Sequence, residues 1–175
     1  PFLREWSALP LLLLDHITLN TNSTYWTIGE QYNFSHEFVY LHNDADRLLY
    51  RARFMIVLLG IGLGILLFCW AREFYGFWPA VIVLGLYAFE PNILAHSSLV
   101  TIDLGLTCFI FGTLYFLWRT ARNLTLPNVS GLTVFLVLAQ VTKFTALLLW
   151  PIILLLLLPL VYRKASWSWR WGRRS

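Results

Sequence analysis

The chain has 175 residues, a formal net charge of +4 and a mean hydropathy of +0.64. Hydrophobic residues make up 58% of it and charged residues only 13%, roughly half the share found in an ordinary soluble domain. This composition leaves too little polar surface to cover a core in water, so it excludes a soluble globular protein and predicts an integral membrane protein. The two cysteines, Cys69 and Cys108, each lie within an apolar run, which excludes a disulfide scaffold.

The first fifty or so residues carry most of the polar, loop-like sequence, with clusters of Asn and Thr. We expect residues 1–53 to form an extracytoplasmic loop segment with juxtamembrane helices. At the end of this segment Asn43, with Asp46 three residues later, predicts an N-cap ahead of the first apolar helix.

Apolar runs dominate from residue 54 onward, and four of them approach the ~20 residues that a membrane-crossing helix needs. These runs are 54–71, 77–94, 99–118 and 144–162, and a shorter piece at 131–142 is divided from the last one by Lys143. A backbone in lipid must satisfy its hydrogen bonds within its own segment, so each run is expected to be a helix. The sequence thus predicts an all-α fold, a polytopic transmembrane helix bundle over residues 54–162 with four full spans and one short helix.

Two further patterns describe how this bundle packs and how it is oriented. Gly60 and Gly64 form a small-xxx-small pair, which predicts the close approach of a neighbouring helix. With residues 1–53 outside, one end of the bundle collects most of the 13 basic residues and a single acid, Glu73. The positive-inside rule makes that end cytoplasmic, with residues 163–175 as a basic, Trp-rich cytoplasmic tail. This topology explains the pI of about 9.3 and requires no nucleic-acid partner.

Ionisable groups beside apolar spans are costly and mark candidate sites. Asp103 stands near the outer end of the third run, where it is either an active-site carboxylate or a structural acid paired with a neighbouring Arg or Lys. Glu90, Asn92 and His96 precede it in the same outer region and are candidate substrate-binding residues. Lys143, at the turn between two apolar helices, needs an anion if it lies at membrane depth, either Asp103 or a substrate phosphate; as a plain loop lysine it needs none.

Arg47 and Arg51 are four residues apart at the start of the first span, on the side where the positive-inside rule disfavours them. A guanidinium matches phosphate geometry, so a lipid-phosphate headgroup is one expected ligand. The alternative is ordinary snorkelling of the two side chains or pairing with Asp44 and Asp46. The histidines of the outer segment lack metal-ligand spacing, so no metal site is predicted there.

Three stretches resemble the bacterial multi-spanning glycosyltransferases of superfamily C, the group related to protein O-mannosyltransferases and aminoarabinose transferases. They are residues 46–54 (DRLLYRARF), 90–103 (EPNILAHSSLVTID) and 142–145 (TKFT). The resemblance implies an inverting transfer of a sugar from a polyprenyl-phosphate-linked donor, on the extracytoplasmic face of a bacterial plasma membrane. The acceptor is a glycan, a lipid or a protein.

The same resemblance implies roles for individual residues. Asp103 matches a second active-site acid that orients the acceptor or holds a cation, and Arg47, Arg51 and Lys143 are candidate phosphate contacts. The donor is itself a lipid, so no cofactor is expected, and a divalent cation remains an open alternative.

The first residues, Pro1–Glu5, are similar to the end of the family's H-P-P-L-x-[KR] segment, which lies in its first outer loop. In the family an acidic Asp or Asp-Glu pair, expected to be the catalytic base, lies upstream at the outer end of a first transmembrane helix, so we expect the chain to be an internal fragment. Two other classes of function remain alternatives. One is a transporter or flippase in which Asp103 and Lys143 line a substrate path, and the other is a non-catalytic membrane subunit.

Overall fold

The structure, a computed structural model, describes residues 2–13 and 17–162. These residues form helices and no strand, which confirms the predicted all-α class for the described part of the chain. The predicted cytoplasmic tail, residues 163–175, lies outside the described residues.

Nine α-helices follow one another in the described ranges. They are α1 (Phe2–Ala8), α2 (Thr24–Thr27), α3 (Gln31–His36), α4 (Ala45–Tyr75), α5 (Phe77–Ala88), α6 (Pro91–Ser97), α7 (Asp103–Arg122), α8 (Leu126–Thr142) and α9 (Leu149–Tyr162). Short 3-10 turns cover Leu9–Leu13 and Phe144–Leu148, and one π-helical turn covers Glu37–Leu41.

The longest helix, α4, starts well before the apolar run that predicted it. Asp44 caps its first turn by accepting a hydrogen bond from the Arg47 backbone N–H at 3.2 Å, so the predicted Asn43 cap is wrong by one residue. The Asn43 side chain instead bonds the backbone of Thr18 and Phe38. The helix ends at Gly76, whose φ of +87° suits glycine. Its 31 residues rise about 46 Å, well beyond the ~30 Å of hydrocarbon in a bilayer.

The number of spans can be compared with the prediction through the length and composition of each helix. By length and apolar composition α4 and α7 can each cross a membrane, and α5 with α6 makes a third only if the two are taken together. These two helices are bent by 61° from one another, because Glu90 caps a new helix that begins at Pro91. The stretches Leu126–Thr142 and Phe144–Leu158 are shorter apolar helices. The described residues therefore support two or three spans, and the predicted four are not confirmed.

Two other boundaries also move. The third run becomes helical only at Asp103, four residues later than its apolar start. The short piece predicted at 131–142 is part of α8, which begins at Leu126 with Pro127 in its first turn. Proline is tolerated there because the first N–H groups of a helix have no partner within the helix.

Helix α7 packs against α4 on one side and α8 on the other, while α5 covers another face of α4. The close approach predicted at Gly60 and Gly64 is confirmed, because Tyr87 of α5 lies across both glycines and its hydroxyl donates to the Gly60 carbonyl at 2.7 Å. Helix α1 contacts α4 and α8, with Leu3 against Gly105 of α7.

Aromatic rings and glycines interlock where α7 meets α8. Gly112 lies directly under the ring of Phe135, and Gly131 lies under the ring of Phe116. The two rings stack on one another with centroids 5.5 Å apart. Each helix thus contributes one glycine that leaves space for a ring of the other helix, and one phenylalanine that fills the corresponding space.

The segment 17–44 is folded around Glu37. This carboxylate accepts hydrogen bonds from the Ser23 hydroxyl and the Asn20 amide, and it contacts the His42 ring at 2.9 Å. The Ser23 bond, followed by the His42 contact, lowers the pKa of Glu37 from its ordinary value of 4.5.

Candidate functional site

Asp103 and Lys143 meet at one end of the bundle. The Lys143 Nζ lies 3.1 Å from the Asp103 Oδ1, although the two residues are 40 positions apart in the chain. Asp103 is the first residue of α7 and Lys143 directly follows the last residue of α8. A helix N-terminus stabilises a negative charge and a C-terminus stabilises a positive one, so both helices favour this pair.

The pair is accessible rather than buried. The Asp103 side chain is 55% exposed and that of Lys143 is 40% exposed. At such exposure an ion pair contributes only about 0.2–1 kcal/mol, because water competes for both groups. A competing anion can therefore separate such an exposed pair at little cost.

The turn that carries Lys143 is held by its neighbours. The residue is extended, with φ −153° and ψ 139°, and its N–H still donates to the Ala139 carbonyl. The Gln140 amide donates to the Ala146 carbonyl at 2.8 Å and so ties the end of α8 to the turn after it. Gln140 was not among the predicted residues. The available signal was its position three residues before the lysine, in the otherwise apolar stretch 134–141 of α8.

The polar residues before Asp103 serve partly to cap and shape the backbone. Glu90 accepts a hydrogen bond from the Ile93 N–H at 2.8 Å and another from the Asn92 amide at 2.9 Å. His96 Nδ1 lies 3.4 Å from the Thr101 hydroxyl in the turn that leads into α7. Glu90 therefore caps helix α6, and Asn92 donates a second hydrogen bond to its carboxylate. His96 lies next to the turn that leads to Asp103.

Arg47 and Arg51 lie elsewhere along α4. Gly60 of α4 faces Leu104 of α7, so the level of Asp103 on α4 is near Gly60. At 1.5 Å per residue, Arg51 lies about 14 Å and Arg47 about 20 Å from this level, toward the N-terminus of α4 and beyond the first residue of α7. Arg47 Nε is 4.0 Å from Asp44, the pairing that the sequence offered as the alternative to phosphate.

The structure thus brings together Asp103 and Lys143 but joins neither arginine to them by a hydrogen bond or ion pair within the described residues. Among those residues no group of three or more His, Cys, Asp or Glu side chains is arranged to hold a metal ion.

The second ion pair between helices lies toward the other end of α4 and α7. Glu73 Oε1 accepts from the Tyr115 hydroxyl at 2.8 Å and lies 3.6 Å from the Arg119 guanidinium. Since Gly60 faces Leu104 and Glu73 faces Tyr115, the two helices run in the same direction. The Asp103 pair and the Glu73 pair therefore mark opposite ends of the bundle.

Comparison with known proteins gives one match. Residues 45–172 match the sequence model of the family described as dolichyl-phosphate-mannose-protein mannosyltransferase. No curated protein and no solved structure matches the chain. The matched range contains Asp103, Lys143 and every other candidate site residue, and it covers well over half of the chain. The chain belongs to the dolichyl-phosphate-mannose-protein mannosyltransferase family, a family of membrane glycosyltransferases of the superfamily C type.

Proposed function

We propose that this protein transfers a sugar from a polyprenyl-phosphate-linked donor to an acceptor hydroxyl, at the end of the bundle where Asp103 and Lys143 meet. The observation that carries the proposal is the exposed ion pair itself. Two separate apolar helices present opposite charges at one bundle end, within the segment that matches the family.

The reaction requires one group on each side of the sugar. The acceptor oxygen attacks the anomeric carbon and loses its proton to a carboxylate base, the acidic residue that the family resemblance implies upstream of the first outer loop. At the same time the bond from that carbon to the phosphate oxygen breaks, and the lipid phosphate leaves. Lys143 stabilises the charge on the departing phosphate, and it exchanges Asp103 for that phosphate when the donor binds. Asp103, released from the lysine, then orients the acceptor hydroxyl or holds a cation.

The arginines of α4 have a different place in this proposal. They lie about 14–20 Å along α4 from the level of Asp103, which is too far for either arginine to bind the same phosphate as Lys143. Arg51 is half-buried, and contact of Arg47 or Arg51 with donor phosphate remains a prediction. Glu90, Asn92 and His96 contribute by fixing the backbone that leads to Asp103.

We also propose that the Asp103 end faces the extracytoplasmic side. The other end carries Arg72, Arg119 and Arg122 against the single acid Glu73 within the described residues, which is the charge balance of a cytoplasmic end. A membrane-impermeant maleimide should label a cysteine introduced at Asn43 in intact cells and leave one at Asn123 unlabelled, in a background without the native cysteines. The reverse pattern contradicts this orientation.

The transferase proposal is tested by removing each charge of the pair. Asp103→Asn and Lys143→Gln should each reduce mannose transfer from a polyprenyl-phosphate-mannose donor by about 100-fold or more. Lys143→Arg keeps the charge and should retain more activity than Lys143→Gln.

Glu73→Gln provides the matched control, because it breaks an ion pair of similar exposure at the other end of the bundle. Loss of either exposed pair changes the free energy of unfolding by at most about 1 kcal/mol, whereas a 100-fold rate loss corresponds to about 2.7 kcal/mol in the barrier. Unfolding therefore does not account for the expected loss. Unchanged transfer in both Asp103→Asn and Lys143→Gln would contradict the proposal.

A further inference from the structure

A groove lies toward the bundle end opposite Asp103. It has a volume of about 470 Å³ and lies between α4, α7 and α9. Its walls are leucines of α7 and α9, with Trp70, Trp118, Ala121 and Arg122. Nothing in the proposed transfer reaction uses this groove.

The depth of the groove follows from the register of α7 against α4. The Tyr115 hydroxyl of α7 donates to Glu73 of α4, two residues after the apolar run of α4 ends at Ala71. The end of this run marks the edge of the hydrocarbon, so Arg122, about 10 Å beyond Tyr115 along α7, lies on the headgroup side of that edge, at the level of the lipid phosphates. Leu114, next to Tyr115, lies at the edge of the acyl chains.

Arg122 is a cation that no carboxylate neutralises within the described residues. Its guanidinium carbon lies 4.9 Å from the centre of the Trp118 ring, which holds it at the groove. Arg119, one turn earlier, pairs with Glu73 at 3.6 Å and is thereby neutralised. The groove thus combines an apolar floor with one uncompensated positive charge at its edge.

We propose that this groove binds an anionic phospholipid from the surrounding leaflet. The lipid phosphate contacts Arg122 and one acyl chain lies against the leucines of α7 and α9. The excess of arginine over acid at this end of the bundle favours an anionic headgroup over a zwitterionic one. The site requires only that the chain spans a membrane, so it is independent of the transferase proposal.

The test is binding of dioleoyl phosphatidylglycerol to the delipidated protein in detergent, followed by native mass spectrometry. Phosphatidylglycerol should bind more tightly than phosphatidylcholine with the same acyl chains. Arg122→Gln should weaken phosphatidylglycerol binding about fivefold, the effect of one arginine beside an anionic headgroup. Ala121→Phe, which fills the groove and keeps Arg122, should also weaken it.

Arg72→Gln is the matched control, because it removes the same charge from an exposed position of α4 that does not line the groove. Its phosphatidylglycerol affinity should remain that of the unaltered protein. Equal weakening by Arg72→Gln and Arg122→Gln would show that general surface charge attracts the lipid and would overturn the proposal. Equal binding of the two lipids, or displacement by glycerol phosphate alone, would overturn it as well.

Discussion

The interlocked contact between α7 and α8 predicts that Gly112→Ala destabilises the protein, although alanine is the better helix former. A Cβ at Gly112 would overlap the ring of Phe135, with the ring Cγ 2.7 Å away. The ring cannot withdraw freely, because it stacks on Phe116 at 5.5 Å and lies 6.5 Å from Phe109.

The magnitude follows from three effects. Overpacking costs about 1–3 kcal/mol, and disturbing the stacked pair costs about 0.5–1.5 kcal/mol. The higher helix propensity of alanine offsets about 1 kcal/mol. We therefore expect a net loss of about 0.5–3.5 kcal/mol in the free energy of unfolding.

Reversible unfolding in a mixed-detergent titration, followed by circular dichroism, measures this loss. Gly85→Ala is the control, since no atom lies within 4 Å of its added Cβ, and it should leave stability unchanged or raise it. In a Phe135→Leu background, Gly112→Ala should cost less, because the ring is gone. An equal cost in both backgrounds, or a Gly112→Ala protein as stable as Gly85→Ala, would refute the reasoning.

Two further predictions concern single hydrogen bonds. Tyr87→Phe removes the bond to the Gly60 carbonyl and should lower the free energy of unfolding by about 0.6 kcal/mol, the average for such bonds between membrane helices. The same detergent titration measures this loss. Tyr75 is 73% exposed, so the control variant Tyr75→Phe should leave the free energy of unfolding unchanged. The Ser23 hydroxyl holds the pKa of Glu37 below 4.5, so the carboxylate stabilises segment 17–44 above that pH, and this stabilisation is lost as the pH falls through the lowered pKa. Hydrogen exchange in that segment should therefore accelerate on acidification, and Glu37→Gln should remove this pH step; an acid response that persists in the variant would assign it to other groups.

Hydropathy predicted which stretches of the chain are helical better than it predicted the residues at which each helix begins and ends. The run starting at Phe54 lies inside α4, but the helix begins nine residues earlier, at Ala45. Arginines are good helix formers, so the charged stretch continues the helix while it ends the hydropathy signal. Glu90 and Pro91 interrupt the run 77–94 near its end, and although this sequence pattern starts a new helix, hydropathy counted the run as one span.

The sequence predicted the residues of the candidate site better than it predicted how those residues are arranged in space. Asp103 and Lys143 were identified because charges beside apolar helices need a partner, and each was a candidate partner for the other. Their contact depends on α7 and α8 returning to the same level, which is a property of the folded hairpin. The position of Arg51 relative to Asp103 depends on how α4 slides along α7, and no local pattern specifies that offset.

Because α4 is one unbroken helix, a change in its tilt displaces the end that extends beyond the hydrocarbon. About 16 Å of the helix exceeds the hydrocarbon thickness, and segment 17–44 is fastened to its free end through Asn43 and Asp44. A tilt of about 20°, ordinary for a membrane helix, swings that end sideways by about 5 Å. Bilayer thickness and helix tilt therefore influence where segment 17–44 lies relative to the rest of the bundle.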